Sequence, residues 1–433
     1  MSTTNLAASV VVKGEEREVI KVALVGFGTV GRSVARILLT RFAGQFSVTQ
    51  ICNRNHEAKK VDWVPGEVEW TDSLNDVIES DAEVVFELMG GIDPAEQLVT
   101  RALRARKSVV TANKQLIARC GPELVRLARE HGVNLLYGAS VAGGIPVLDG
   151  IQHGLSGDRI RKIEGILNGT CNLILSQMQA TGASFEDALK EAQAKGFAEA
   201  DPTEDVDGLD ARAKLTILAR AAFESDVLPT QLFANSIRTI EGVDFDYAND
   251  LGCTIRQISR AQLEGDHLYA GVQPTLVSKT SPLGLSVGGQ NLVVTTGEFG
   301  GNTVFAGAGA GGDPTAVAVV SDLLWIARHQ RRAEAAASNE AKKLKVSGDF
   351  KSAHYLRFKV QDRPGIIATL AQSLATHGIN IDAVFQRPGY PKLALPFVIT
   401  LEPCSAQVLK AAMDEIKQLD FHVCEPLDLP ILG

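Results

Sequence analysis

Several things are scarce in this chain of 433 residues. Basic charge does not dominate: 43 Lys and Arg stand against 51 Asp and Glu, for a net charge of −8. That balance argues against nucleic acid as a partner, which needs a positive surface. No apolar run is long enough to span a bilayer. The first residues lack the basic start and sustained apolar core of a signal peptide, so 1–18 read as a disordered lead-in. Six cysteines (Cys52, Cys120, Cys171, Cys253, Cys404, Cys424) are scattered, with no CxxC pair and no histidine at ligand spacing. Free thiols in a reducing cytosol fit that pattern; disulfides and zinc do not. None of the eight histidines stands in a catalytic motif with an acid.

What is present is globular. Hydrophobic residues make up 45% and charged residues 22%, and the length asks for two or three domains. Residues 21–28 (KVALVGFG) are an apolar strand running into a glycine turn. Gly26, Gly28 and Gly31 form GxGxxG, and an amphipathic helix follows. The three glycines serve a tight turn, backbone approach to a pyrophosphate, and close packing of helix on strand. The helix N-terminus then offers free N–H groups to the phosphates. Where an NAD-selective strand would end on an acid, residues 52–54 read Cys-Asn-Arg. Arg54 favours a 2′-phosphate, hence NADP(H) over NAD(H), unless it is simply a solvated loop residue.

Strands at 83–91 and 108–114 and helices at 94–106 and 122–130 continue the βα rhythm to a strand at 134–137. This is a doubly wound parallel sheet of the Rossmann type, taken as residues 19–137. Lys114 is expected at the C-terminal end of its strand, and Met89 and Gly90 end the neighbouring one. Ligands bind at that edge of open α/β sheets.

Residues 138–146 (GASVAGGIP) break the rhythm and open a second region, taken as 138–330. A packed hinge explains the glycines, and so would backbone carbonyls turned toward an alkali cation. Further strands at 158–167, 254–263, 267–277 and 292–299 suit a mixed sheet with helices, an α+β substrate and dimerisation domain. The glycine-rich 307–312 is either a cofactor-approaching loop or a tight turn. The apolar helix after it is expected to be buried, packing back on the first domain. Residues 331–352 read as a linker. From 353 to 433 the order is βαββαβ, a separate ferredoxin-like domain with its last strand near 421–426.

Residues 196–214 (GFAEADPTEDVDGLDARAK) carry six carboxylates and end on a lysine. A helix starting near Gly208 puts Asp210 and Lys214 at i and i+4 on one face. Spacing alone leaves two readings open: a solvated helix ion pair, or a site for a small cationic substrate with a lysine as proton donor.

The order of several motifs resembles the homoserine dehydrogenases over nearly the whole chain. These are GFGTVG at 26–31, TANK at 111–114, SVAGGIP at 140–146, LNGTCN at 167–172 and the long 194–214 stretch. The C-terminal domain resembles an ACT module, through RFKVQDRPG at 357–365 and HGINI at 377–381. The resemblance implies reversible, NAD(P)-dependent reduction of L-aspartate 4-semialdehyde to L-homoserine, in threonine, methionine and isoleucine biosynthesis in the cytoplasm. It gives the proton-donor role to Lys214. It places Glu199 and Asp210 on the substrate, and Lys114 beside the nicotinamide. Phe27, Thr29, Val30 and Gly196 match cofactor-contacting positions, and Gly309 lies in a loop where such contact is expected. Val141, Gly143 and Ile145 match a sodium or potassium site whose usual glutamate is replaced here by Gly138. The ACT module implies an amino-acid effector, threonine, near Asp362, Gly365 and Asn380, and a homodimer or homotetramer. Purely structural dimerisation is the other reading of that module. One other enzyme and one non-enzyme compete with this reading. An acyl-enzyme semialdehyde dehydrogenase would need an activated cysteine, and Cys171, though in a motif, has no evident partner. A non-catalytic sensor would not need Lys114, Asp210 and Lys214.

Overall fold

The computed structural model describes residues 19–329 and 341–432. The expected lead-in at 1–18, and the linker over 331–340, lie outside the described residues. The first sheet is parallel, built from β1 (Ile20–Val25), β2 (Phe46–Cys52), β3 (Glu69–Thr71), β4 (Val84–Glu87), β5 (Ser108–Thr111) and β6 (Leu135–Leu136). Its order is β3-β2-β1-β4-β5-β6, the doubly wound arrangement. β4 and β5 are buried at every position, as strands covered by helices on both faces must be. The helix Gly312–His329 is far away in sequence but packs here. Ala316, Val319, Val320 and Leu323 share a core with Val22, Leu24, Val34 and Leu38.

One expected helix is longer. The segment read as 122–130 is the end of Lys114–Glu130, with Pro122 inside it. A proline there cannot donate to the carbonyl of residue 118. The guanidinium of Arg220 takes over: Nη2 donates to the Ala118 carbonyl and Nη1 to that of Ile117, each at 2.7 Å. A side chain about 100 residues away thus satisfies the gap the proline leaves. Lys114 therefore opens a helix, capped by the Asn113 side chain on Leu116 N–H, instead of ending the strand.

The second sheet is built from β7 (Ile160–Ile166), β8 (Phe233–Ala234), β9 (Cys253–Glu264), β10 (His267–Ser278), β11 (Gln290–Gly297), β12 (Asn302–Ala308) and β13 (Lys345–Ser347). It continues through β14 (Lys351–Val360), β15 (Ile381–Phe385), β16 (Leu395–Ser405) and β17 (Leu427–Leu432). The main path is β12-β11-β7-β9-β10-β17-β14-β16-β15. The last four strands have the ferredoxin-like order, but they are not detached from the rest. β17 pairs with β10, Leu276 facing Ile431 and Val277 facing Leu432. The final strand also begins later than expected. Phe421 is core, His422 makes only an isolated bridge to Val360, and the continuous pairing with β14 starts at Leu427.

Candidate active site

The helix Leu209–Phe223 follows Gly208, whose left-handed φ of 75° reverses the chain just before it. Asp210 in its first turn and Lys214 one turn later lie on one face, the first buried and the second partly buried. Asp210 is 4% exposed. Its Oδ2 accepts from Lys214 Nζ at 2.8 Å and from Asn168 Nδ2 at 2.9 Å. Its Oδ1 pairs with Lys114. Burial alone would raise the Asp210 carboxyl, but Lys214 and Lys114 outweigh it and hold the group well below the usual carboxylate range. Lys114, which burial would lower, is held above the ordinary lysine value by Asp210, with help from Asp205 and Glu204. Lys214 Nζ makes a second bond, 2.8 Å to the Leu167 carbonyl. Two of its three N–H groups are thereby fixed, and the third is left to a ligand.

Sequence reasoning missed two members of this cluster. Asn168 caps the helix Gly169–Thr181 through its Oδ1, while its Nδ2 bridges Asp210 and Asp205. Asp205 is thus the second carboxylate here. Its carboxyl is raised by burial and by Asp210, against the lowering effect of the Asn168 bond. Glu199 is placed differently. It is exposed, only its main-chain carbonyl is bonded (to Gln193), and its carboxylate has no partner among the described residues. Gly196, three residues before it, takes a left-handed φ of 76°. The LNGTCN motif was the available signal for Asn168; nothing local singled out Asp205. Cys171 is buried, its Sγ bonds the Asp205 carbonyl, and burial pushes its thiol well above the ordinary value. That is the environment of an inert thiol, not of an acyl-forming nucleophile.

The parallel sheet brings its C-terminal edge to the same place. Glu87, ending β4, accepts from the Thr111 hydroxyl at 2.6 Å and from Met89 N–H at 2.9 Å. Asn113, beside Lys114, donates to the Gly91 carbonyl. Gly90 (φ 75°) and Gly91 (φ 73°) turn the chain away from the strand end. At the glycine loop the fit to a dinucleotide is steric. A Cβ on Gly26 would lie 2.5 Å from the Leu88 carbonyl oxygen, and one on Gly31 would lie 2.1 Å from that of Gly26, whereas nothing stands within 4 Å of Gly28. Packing fixes two glycines, and the third keeps the approach to the helix N-terminus clear. Thr29 and Val30 are the first residues of that helix, Thr29–Arg41. Phe27 contributes only its backbone, whose N–H donates to Asn53 Oδ1. Its ring is fully buried against Trp70 at 5.0 Å. Arg54 is exposed one residue beyond Asn53.

The loop at 307–312 joins the two halves. Gly312 is packed on Thr29 and Ser33, and Asp313 Oδ1 accepts from Ser33 Oγ and Arg36 Nη2, each at 2.6 Å. Two helix N-termini therefore meet at the glycine loop. Gly309 lies against Gly143 and against the Asn291 amide. In the 138–146 loop, Ala142 and Gly143 both have φ 56°. The Ile145 carbonyl accepts from Val147 N–H, and those of Val141 and Gly143 accept no hydrogen bond from the described residues. A carboxyl group from another segment stands against Gly138. Asp322 Oδ2 accepts from Gly138 N–H at 2.9 Å, and Oδ1 lies 2.9 Å from where a Cβ on Gly138 would stand. Two open carbonyls and a buried acid suit a monovalent cation in part.

Burial pushes Asp322 up to about 7, with the Gly138 bond opposing. Between the ordinary carboxylate range and that value, the folded chain keeps a proton that the unfolded chain has lost. Stability should therefore fall as pH rises through that window. Asp322→Asn is expected to melt above wild type near pH 8, with the difference vanishing by about pH 4. Parallel melting curves at both values would contradict this.

In the C-terminal module, Asp362 and Gly365 line a cavity of about 310 Å³ with Arg363, Ile366 and Gln386. Asn380 does not line it; its Nδ2 donates to Glu402.

A dinucleotide cleft whose edge meets lysines held on a buried carboxylate is the arrangement of a nicotinamide-dependent oxidoreductase. The comparisons make the class particular. Residues 26–138 match the NAD-binding domain of homoserine dehydrogenase, 146–324 match homoserine dehydrogenase itself, and 354–421 match the ACT domain. The homoserine dehydrogenase of Bacillus subtilis is 37% identical over 394 residues, 88% of this chain and 91% of the relative. That of Synechocystis is 36% identical over 419 residues, 93% and 96% of the two chains. A crystal structure of a homoserine dehydrogenase from Thiobacillus denitrificans superposes with a TM-score of 0.89 at 33% identity, covering 96% of this chain and 99% of that one. A hyperthermophilic archaeal homoserine dehydrogenase in complex with NADPH superposes with a TM-score of 0.62 at 27% identity, over 72% and 98%. This chain belongs to the homoserine dehydrogenase family and carries an ACT domain.

Proposed function

We propose that the protein interconverts L-aspartate 4-semialdehyde and L-homoserine with NADP(H) preferred over NAD(H), with Lys214 as proton donor and acceptor. The observation that carries this reading is the shared carboxylate of Asp210 between Lys214 and Lys114. The bound nicotinamide supplies the hydride that reduces the aldehyde carbon. The chain's own residues do the rest. Lys214 presents its third N–H to the carbonyl oxygen and delivers the proton as negative charge develops there. Its positive charge also stabilises that oxygen. Lys114 adds a second positive group and ties the parallel sheet to Asp210. Asp210 is fully engaged by the two lysines and Asn168, so the substrate ammonium falls to Asp205 and to Glu199 at the loop surface. On the cofactor, Gly26, Gly28, Gly31 and the backbone of Phe27, Thr29 and Val30 would meet the pyrophosphate. Met89, Gly90, Gly196 and Gly309 would line the rest.

Steady-state kinetics with aspartate semialdehyde test the preference. The wild type is expected to show a lower KM for NADPH than for NADH. Arg54→Ala should raise the NADPH value several-fold while leaving NADH unchanged, because an exposed charge–phosphate contact serves only the phosphorylated cofactor. An NADH preference in the wild type would reverse the assignment. Sodium or potassium would be held by the carbonyls of Val141, Gly143 and Ile145. Activity unchanged on exchanging them for a bulky organic cation would remove that site.

The ACT domain serves as a sensor of an amino acid, threonine, bound near Asp362 and Gly365. Asn380, turned toward Glu402, is the least supported of the three positions named for it. Assembly as a homodimer or homotetramer completes the reading and is checked by sedimentation.

A further inference from the structure

We propose that Asn291 is a positioning residue for Lys214, acting through the Leu167 carbonyl. The inference rests on the reading of Lys214 as proton donor and adds the group that sets its aim. Leu167 O accepts two hydrogen bonds, from Lys214 Nζ at 2.8 Å and from Asn291 Nδ2 at 3.0 Å. The ammonium has three donors, and two are committed, to Asp210 and to this carbonyl. The direction of the third therefore depends on where the carbonyl stands. Leu167 follows β7 directly, at the point where the chain leaves the sheet for the Asn168 turn. Ladder pairing ends at Ile166, which faces Leu292. The amide of the neighbouring residue on β11, Asn291, bonds the carbonyl just past that end.

Among the described residues, no other contact accounts for this amide. Asn291 is 1% exposed, and its Oδ1 has no hydrogen-bond partner among the described residues. A buried unpaired oxygen is costly, so a side chain kept in that state needs a reason. Flipping the amide would set its oxygen against the Leu167 oxygen, two acceptors with no proton between them. The carbonyl therefore holds Nδ2 inward. Gly309 is fitted around the same amide, since a Cβ there would lie 2.0 Å from Asn291 Cγ. One side chain thus touches both the strand end that holds the lysine and the glycine loop expected to approach the cofactor. No local motif marked it, because β11 reads as an ordinary alternating strand.

The test uses the full-length protein with Asn291→Ala and Asn291→Asp. The Ala variant, folded as judged by its melting temperature, is expected to lose roughly tenfold or more in kcat with both KM values little changed, since small misplacement of a reacting group is costly. The Asp variant keeps the shape but, ionised, cannot donate to the carbonyl. Its kcat should recover toward acid pH, where the protonated acid donates again, and the wild type lacks that acid-side recovery. A purely packing role would not change the pH profile. A folded Ala variant with kcat within twofold of wild type overturns the proposal. If the Ala variant does not fold, an Asp variant whose pH profile parallels wild type overturns it. Failure of the wild type to turn over aspartate semialdehyde is visible separately, and overturns the reading on which the role depends.

Discussion

Lys214→Ala is expected to lower kcat by roughly 10²–10⁴-fold, the usual contribution of a positioned general acid. The protein should stay folded and bind cofactor with little change. The network around Asp210 explains why the loss is chemical and not structural. With Lys214 gone, Asp210 still has Lys114 and Asn168, so its buried charge remains compensated. Asp210→Ala is a poorer experiment, because it leaves two ammonium groups facing each other and an unpaired Asn168 donor. Lys214→Arg should recover little. Its charge is kept, but a planar guanidinium cannot reproduce the bonds to both the Leu167 carbonyl and Asp210 Oδ2. It also holds its proton too tightly to donate it. Stopped-flow or steady-state oxidation of NADPH reads the effect directly. Full turnover by the Ala variant would give the proton to another group.

The second large effect lies away from the chemistry. Arg357→Leu is expected to cost roughly 3–5 kcal/mol of folding stability, the usual result of breaking one side of a buried pair. Arg357 on β14 is almost fully buried, with Nε on Asp244 Oδ1 and Nη1 on Glu241 Oε1, each at 2.8 Å, and Nη2 on the Thr239 carbonyl. Asp244 is completely buried. It also accepts from the Tyr355 hydroxyl and from Glu241 N–H at the start of the helix Gly242–Asp250. Burial pushes its carboxyl above the ordinary value even with Arg357 present. Without Arg357, the cost of that charge is opposed by the Tyr355 hydroxyl and the Glu241 N–H alone among the described residues. The double variant Asp244→Asn with Arg357→Leu should regain much of the loss, which denaturant titration would show. A single variant as stable as wild type would contradict the argument.

These residues also connect the ACT strands to the catalytic loop. Arg238, one residue before Thr239, pairs with Asp207, and Ser236 Oγ donates to Asp207 Oδ1. Asp207 stands between Asp205 and Asp210. If threonine acts through the ACT domain, the double variant should be less inhibited than wild type at equal threonine. No inhibition of the wild type itself would remove the sensor.

Much of the site was legible because its spacing is local. A helix begins after Gly208, and its 3.6-residue period puts Asp210 and Lys214 on one face whatever surrounds them. The glycine loop was legible for the same reason: a strand, three glycines at fixed spacing and a helix are adjacent in sequence. The motif order carried the family and the ACT module, and the strand and helix order carried the two sheet types.

Tertiary packing decided the remainder. Asn168 ties Asp205 to the lysine–aspartate cluster across 37 residues, while Glu199 lies exposed on the same stretch. Phe27 lies in the cofactor motif, yet its ring belongs to the core and its N–H is held by Asn53. Pro122 does not end a helix, because Arg220 supplies the missing donor. The carboxyl group that stands against Gly138 belongs to Asp322, 184 residues away. The ACT sheet is continuous with the central sheet because β17 finds an open edge on β10. Residue types and local periods, then, determined the family, the nucleotide loop and the lysine–aspartate pair by themselves. Which acid, which carbonyl and which amide surround that pair depended on the folded chain. Those contacts join segments with no fixed spacing between them, and only the packing of two sheets brings them within hydrogen-bond reach.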